Sequence, residues 1–132
     1  ANANLKIVEE EDLPANAAKQ GDYFLAGLKD LHKRHKAIGD VRGKGMLLAV
    51  EIVADKKTRQ MLPGELKPSE RIRILGLKNG VMLYTRASAG CKFGHWFMVS
   101  PPLTITEDEC DELLRRTEKS VSDFCQELAR LN

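Results

Sequence analysis

No apolar run in these 132 residues approaches the ~20 that a helix needs to cross a bilayer. That excludes a membrane-spanning helix within the chain and predicts no membrane partner. Charge of one sign is also scarce. Against 21 Lys and Arg stand 19 Asp and Glu, and a net +2 is too little to draw the chain onto nucleic acid. Aromatics make up only 5% of the residues. None interleaves with the basic clusters near Lys33 and Lys56 as a base-stacking platform requires. The three cysteines, Cys91, Cys110 and Cys125, are odd in number and fit no CxxC spacing, which predicts neither a disulfide framework nor a zinc ribbon. Cys110 and Cys125 read as sharing one helix, where 15 residues separate them by roughly 22 Å, too far for a bridge. The opening ANANLKIVEE lacks the basic start and apolar middle of a signal peptide. A reducing compartment, the cytosol, is the expected location.

What is present describes an ordinary globular domain, 42% hydrophobic and 30% charged. Residues 3–11 read as a helix end with Leu5 and Val8 on one side. Asp12, Leu13 and Pro14 break and restart it, Pro suiting a first helical turn. Ala17, Gly21, Phe24, Leu28, Leu31, His35 and Ile38 then recur at fours and threes, one buried helical stripe that Gly39 ends. Residues 46–53 form a nearly continuous apolar run, predicting a strand covered on both faces. Pro63-Gly64 marks a loop or hairpin excursion. Ser69 is the expected cap of a short helix through Lys78, with Gly80 as its left-handed stop. Residues 81–84 and 96–99 read as short strands around a glycine-bearing loop, 87–94. Thr106 and Glu109 form a capping box, after which Cys110, Leu113, Thr117, Val121, Phe124, Leu128 and Leu131 repeat at helical spacing. The pattern predicts an α+β fold, a small and mainly antiparallel sheet covered by two long helices.

Few residues assemble into recognisable chemistry. His32 and His35 lie one turn apart, but among Lys29, Lys33, Arg34 and Lys36, which repel a cation; a solvated face is the simpler reading, and no metal ligands are assigned. Arg42-Gly43-Lys44-Gly45 superficially suggests a phosphate loop, yet it precedes a strand where both phosphate-gripping fingerprints need a helix N-terminus. Ser88, Ser100, Cys91 and His95 include nucleophiles and a base without any nucleophile-elbow motif. Tyr84, Arg86, His95 and Trp96 flank the glycine-bearing loop. An arginine there offers a two-point grip on a carboxylate, while an exposed ion pair beside core aromatics would explain the same residues.

Four segments, in order, resemble the C-terminal small domain of class III pyridoxal-phosphate aminotransferases, the omega-aminotransferase group of fold type I. NLKIVEEEDLPANAAKQGDYFLAGLKDL is similar to the helix that follows the catalytic segment. VRGKGMLLAVEIV resembles the family's RGxGLMxGIE strand, and GVMLYTR with GHWFMVSPPLTITEDECDEL resembles its closing strand, proline pair and final helix. The resemblance implies that residues 1–12 end a helix arriving from a large domain and that residues 13–132 form the small domain. It implies a homodimer that moves an amino group between an amine or amino acid and a keto acid, with pyridoxal 5'-phosphate as cofactor.

Nothing in the chain resembles the family's cofactor lysine, its pyridine-facing aspartate or its phosphate cup. The resemblance therefore implies no catalytic and no cofactor-binding residue here, only a wall of the substrate entrance. Arg86 lies near the position of an arginine that turns toward the substrate carboxylate, and Tyr84 and His95 are the other expected substrate contacts. Two departures bear on this. Gly94-His95-Trp96 stands where many relatives read GDH, and Met98 occupies the place of an arginine that other members use against carboxylates. A catalytically silent α+β binding module is the alternative reading of the same residues.

Overall fold

The structure, a computed structural model, describes residues 2–86 and 94–131. Helices α1 (Asn2–Glu10) and α2 (Leu13–Arg34) are separated by Asp12 in a left-handed conformation at φ 46°, and Pro14 sits in the first turn of α2. Strands β1 (Ile38–Lys44) and β2 (Leu47–Ile52) form a hairpin. Its two-residue turn opens on Gly45 at φ 55°, a conformation that costs glycine nothing and other residues a strained Cβ. A 3-10 turn (Gly64–Leu66) leads into α3 (Pro68–Lys78), followed by β3 (Tyr84–Thr85), β4 (His95–Val99) and α4 (Glu107–Ala129).

The four strands lie in the order β1-β2-β4-β3, every pair antiparallel. The long helices α2 and α4, joined by the shorter α3, cover one face, so the expected α+β architecture is observed. Phe24, Leu28 and Leu31 of α2 meet Val41, Leu48, Val50, Ile52, Phe97 and Val99 of the sheet, with Cys110, Val121 and Phe124 of α4 closing the core. Burying each large apolar side chain contributes roughly 1.5–3 kcal/mol. At the α4 start, Thr106 Oγ1 accepts from the Glu109 amide at 3.3 Å, and Glu109 Oε2 accepts from the Thr106 amide at 2.9 Å. This is the capping box foreseen in the sequence. Both Cys110 and Cys125 lie on α4 as free thiols.

Four expectations are corrected. The stripe read as helix through Ile38 stops at Arg34, His35 turns extended (φ −110°, ψ 123°), and Ile38 opens β1. A strand there buries Ile38 and Val41 against β2, a non-local gain that local periodicity does not reveal. Ser69 does not cap α3; Pro68 takes the first turn, and Ser69 is buried with its hydroxyl toward His95. Of residues 81–84 only Tyr84 joins the sheet, pairing with Met98. Finally, the apolar run of β2 is covered on one face only: Leu48, Val50 and Ile52 are buried, whereas Leu47 is 61% exposed.

Candidate functional site

That less covered second face carries two of the three sequence-predicted residues, Tyr84 and Arg86. Register assigns its occupants, because directly paired residues project to the same side of a sheet. Asp40 pairs with Glu51 and Glu51 with Trp96; in the next row Arg42 pairs with Ala49, Ala49 with Met98, and Met98 with Tyr84. Burial alternates along residues 81–86: Val81 and Leu83 enter the core while Met82, Tyr84 and Arg86 are exposed. Arg86 therefore follows Tyr84 on the outer side, one residue past the last paired position of β3. The rings of Tyr84 and Trp96 stand 6.2 Å apart at 39°, within the range of a favourable aromatic pair.

Charge on this face is concentrated at one end. Arg42 Nη1 lies 2.6 Å from Asp40 Oδ2 and 3.4 Å from Glu51 Oε2. The Arg42 guanidinium holds the Asp40 carboxyl below its ordinary value, against the upward push of partial burial. Two carboxylates and one guanidinium thus sit beside the aromatic pair, with Arg86 beyond it. Sequence reasoning passed over this row. Its signal was Glu51, the lone charge inside an apolar strand, and the i, i+2 spacing of Asp40 and Arg42.

The three residues expected to touch substrate divide between the faces. Tyr84, 56% exposed, and Arg86 are on the outer side. His95 is 4% exposed and points into the helix-covered core, with Nε2 3.1 Å from the Leu62 carbonyl and Nδ1 3.5 Å from Ser69 Oγ. Its ring ties the start of β4 to the excursion before α3 and to α3 itself. Ser88, Cys91 and most of the loop assigned to 87–94 lie outside the described residues.

Several other polar groups are engaged in holding the fold. A cavity of about 350 Å³ lies between residues 80–82, the end of β4 and the first turns of α4. Its Glu112 is paired with Arg115 and Arg116, and Arg116 also donates to the Gly80 carbonyl. Burial pushes the Cys110 and Cys125 thiols up, the opposite of an activated thiolate. His35 Nε2 is buried without a hydrogen-bond partner and stands 3.5 Å from Glu118 Oε1 of α4, so the ring faces α4, as its place on the buried stripe implies and the solvated-face reading does not. Among the described residues no group of three His, Cys, Asp or Glu could hold a metal ion.

A seat for pyridoxal phosphate would need a lysine facing a closed site and amide donors for the phosphate. Among the described residues no lysine is buried. The α4 N-terminus is already occupied by its own capping box and carries Glu107, Asp108 and Glu109, which repel a phosphate. The described residues do not fit the cofactor, and no chemical step is assigned to it here.

Comparison with known proteins identifies the family and the fold. The family model for class III aminotransferases matches residues 1–121. An uncharacterized aminotransferase of Sinorhizobium fredii is 35% identical over 98% of this chain and 27% of its own length. A diaminobutyrate--2-oxoglutarate transaminase of Halomonas elongata is 37% identical over 97% of this chain and 26% of its own. Among solved structures, an amine transaminase from an uncultivated Pseudomonas species superposes with a TM-score of 0.78 at 38% identity, covering 90% of this chain and 25% of that one. A transaminase from the marine bacterium Virgibacillus reaches 0.89 at 27% identity. The chain therefore spans about a quarter of the length of these relatives. The family-model match over residues 1–121, with solved transaminases of the same fold, makes this chain a member of the class III aminotransferase family.

Proposed function

We propose that this chain forms one wall of the active centre of a pyridoxal-phosphate-dependent aminotransferase, which moves an amino group between an amine or amino acid and a keto acid. The observation that carries this reading is the half-covered sheet in a chain of this family. An apolar and aromatic face on which Leu47 and Tyr84 are exposed and Trp96 and Met98 half-buried is left partly open, although leaving such area in water forgoes roughly 25 cal/mol per Å². A large cofactor-binding domain of the same polypeptide is the proposed cover, and the intact enzyme is proposed to be a cytosolic homodimer, as the family resemblance implies.

In that setting Arg86 grips the carboxylate of the keto acid through its planar fork. Tyr84 lines the path to it. His95 serves from behind, keeping the start of β4 in place. The cofactor, anchored elsewhere, supplies the electron sink; this chain supplies position and charge. The test is Arg86→Ala in the intact enzyme. The Michaelis constant for a keto acid should rise severalfold, while that for an amine donor lacking a carboxylate stays near wild type. Unchanged keto-acid kinetics remove Arg86 from the site. A native gene encoding this polypeptide alone would favour the non-catalytic module instead.

A further inference from the structure

The Arg42-Gly43-Lys44-Gly45 segment has no place in the proposed chemistry so far, yet its arginine sits at the end of the row that leads to the substrate wall. Asp40 and Glu51 are direct cross-strand partners, and two like charges in that arrangement repel and destabilise the pair. Arg42 Nη1 reaches both, at 2.6 and 3.4 Å. Glu51 is in turn the direct partner of Trp96, and its Oε1 stands 3.6 Å from where a Cβ on Gly94 would lie. Gly94 holds a left-handed φ of 79° at the start of β4. Trp96 contacts Tyr84 across the sheet.

From this sequence of contacts we infer that Arg42 is a positioning residue: by bridging Asp40 and Glu51 it fixes the Glu51 carboxylate, and through it the Trp96–Tyr84 pair from which Arg86 extends. The inference rests on the proposed function for its kinetic consequence, but not for its structural one. Without Arg42, Glu51 is driven away from Asp40 toward Gly94 and Trp96, and the aromatic pair shifts. Arg42 itself touches no reacting atom.

Trp96 is the single tryptophan of the chain, so its fluorescence reads the row directly in this polypeptide. Arg42→Met removes the charge and keeps the stem. It should shift the Trp96 emission maximum and change its quenching by acrylamide. Arg42→Lys, which retains a cation, should stay near wild type. The double variant Asp40→Asn with Arg42→Met should return to the wild-type spectrum, because Glu51 then faces a neutral amide. A merely structural arginine would not be rescued by deleting a second charge. An unshifted Arg42→Met spectrum, or a double variant as shifted as the single one, overturns the inference.

In the intact enzyme Arg42→Met should raise the keto-acid Michaelis constant severalfold with kcat held within about twofold, and Asp40→Asn should reverse it. A loss confined to kcat overturns the proposed route. Should Arg86→Ala leave that Michaelis constant unmoved, the substrate-wall reading fails, while the rescued fluorescence still upholds the positioning of Trp96 by Arg42.

Discussion

The two faces of one sheet are built to different rules. On the helix side, Leu48, Val50, Phe97 and Val99 are sealed by residues of the same chain. On the other side, Leu47 and Tyr84 are exposed and Ala49, Trp96 and Met98 are only half-buried, and no helix described in this chain packs over them. The first face accounts for the stability of the domain, and the second carries the proposed substrate wall. Consecutive residues of β4 belong to opposite faces, so the contrast can be tested one position apart.

Phe97 is 1% exposed, and Phe97→Ala should cost about 3–5 kcal/mol, transfer and cavity terms together. Its neighbour Met98 projects to the open face, where Met98→Ala should cost about 1 kcal/mol or less. Urea denaturation of the two variants measures the difference. Equal midpoints would mean that the open face is already closed in solution, and the distinction between the faces would be lost.

A second test asks how closely the covered side is packed. A Cβ at Gly21 of α2 would come within 2.5 Å of the Gly45 carbonyl oxygen, a backbone atom that cannot swing aside. Gly21→Ala should therefore destabilise by about 1–3 kcal/mol, despite the better helix propensity of alanine. A thermal melt at or above the wild-type midpoint would show that the hairpin turn yields more readily than this spacing implies.

The same contrast explains what was legible in the sequence. The capping box at Thr106 and the α4 stripe through Phe124 are local signals with local causes, and they were read correctly. The end of α2 was not, because Leu31, His35 and Ile38 keep helical spacing across a real break. Only the pairing of Ile38 with Ile52 makes a strand the better state, and that partner is 14 residues away. Ser69 was misassigned for a related reason: its buried neighbour His95 comes from another element. Among the candidate residues, Tyr84 and Arg86 stood out because they flank a loop, whereas Asp40, Arg42 and Glu51 become one group only when two strands, β1 and β2, are laid side by side. The β2 run predicted cover on both faces. Its composition is suited to both, but among the described residues only the face of Leu48, Val50 and Ile52 is buried by this chain.

The smallest expected effect separates a carboxylate on the helix side from one on the open face. Hydrogen bonds from Arg115, then Arg116, hold the Glu112 carboxyl to about 2, from an ordinary 4.5. A depressed folded value means that the stabilisation is present above the unfolded value and is lost as pH falls through the folded one. Glu112→Gln should thus melt slightly below wild type at pH 7. The gap should narrow from about pH 4.5 downward, be mostly lost by pH 2 and close only below it. It stays small because the pair is exposed and screened by salt. Asp40 is depressed in the same direction by Arg42, but Asp40→Asn also relieves repulsion from Glu51, so its gap should be the smaller of the two. Melting curves of both variants from pH 7 to pH 2 decide the point. A larger gap for Asp40 than for Glu112 would mean that the two facing carboxylates hardly sense each other, and that the open face carries none of the electrostatic tension assigned to it.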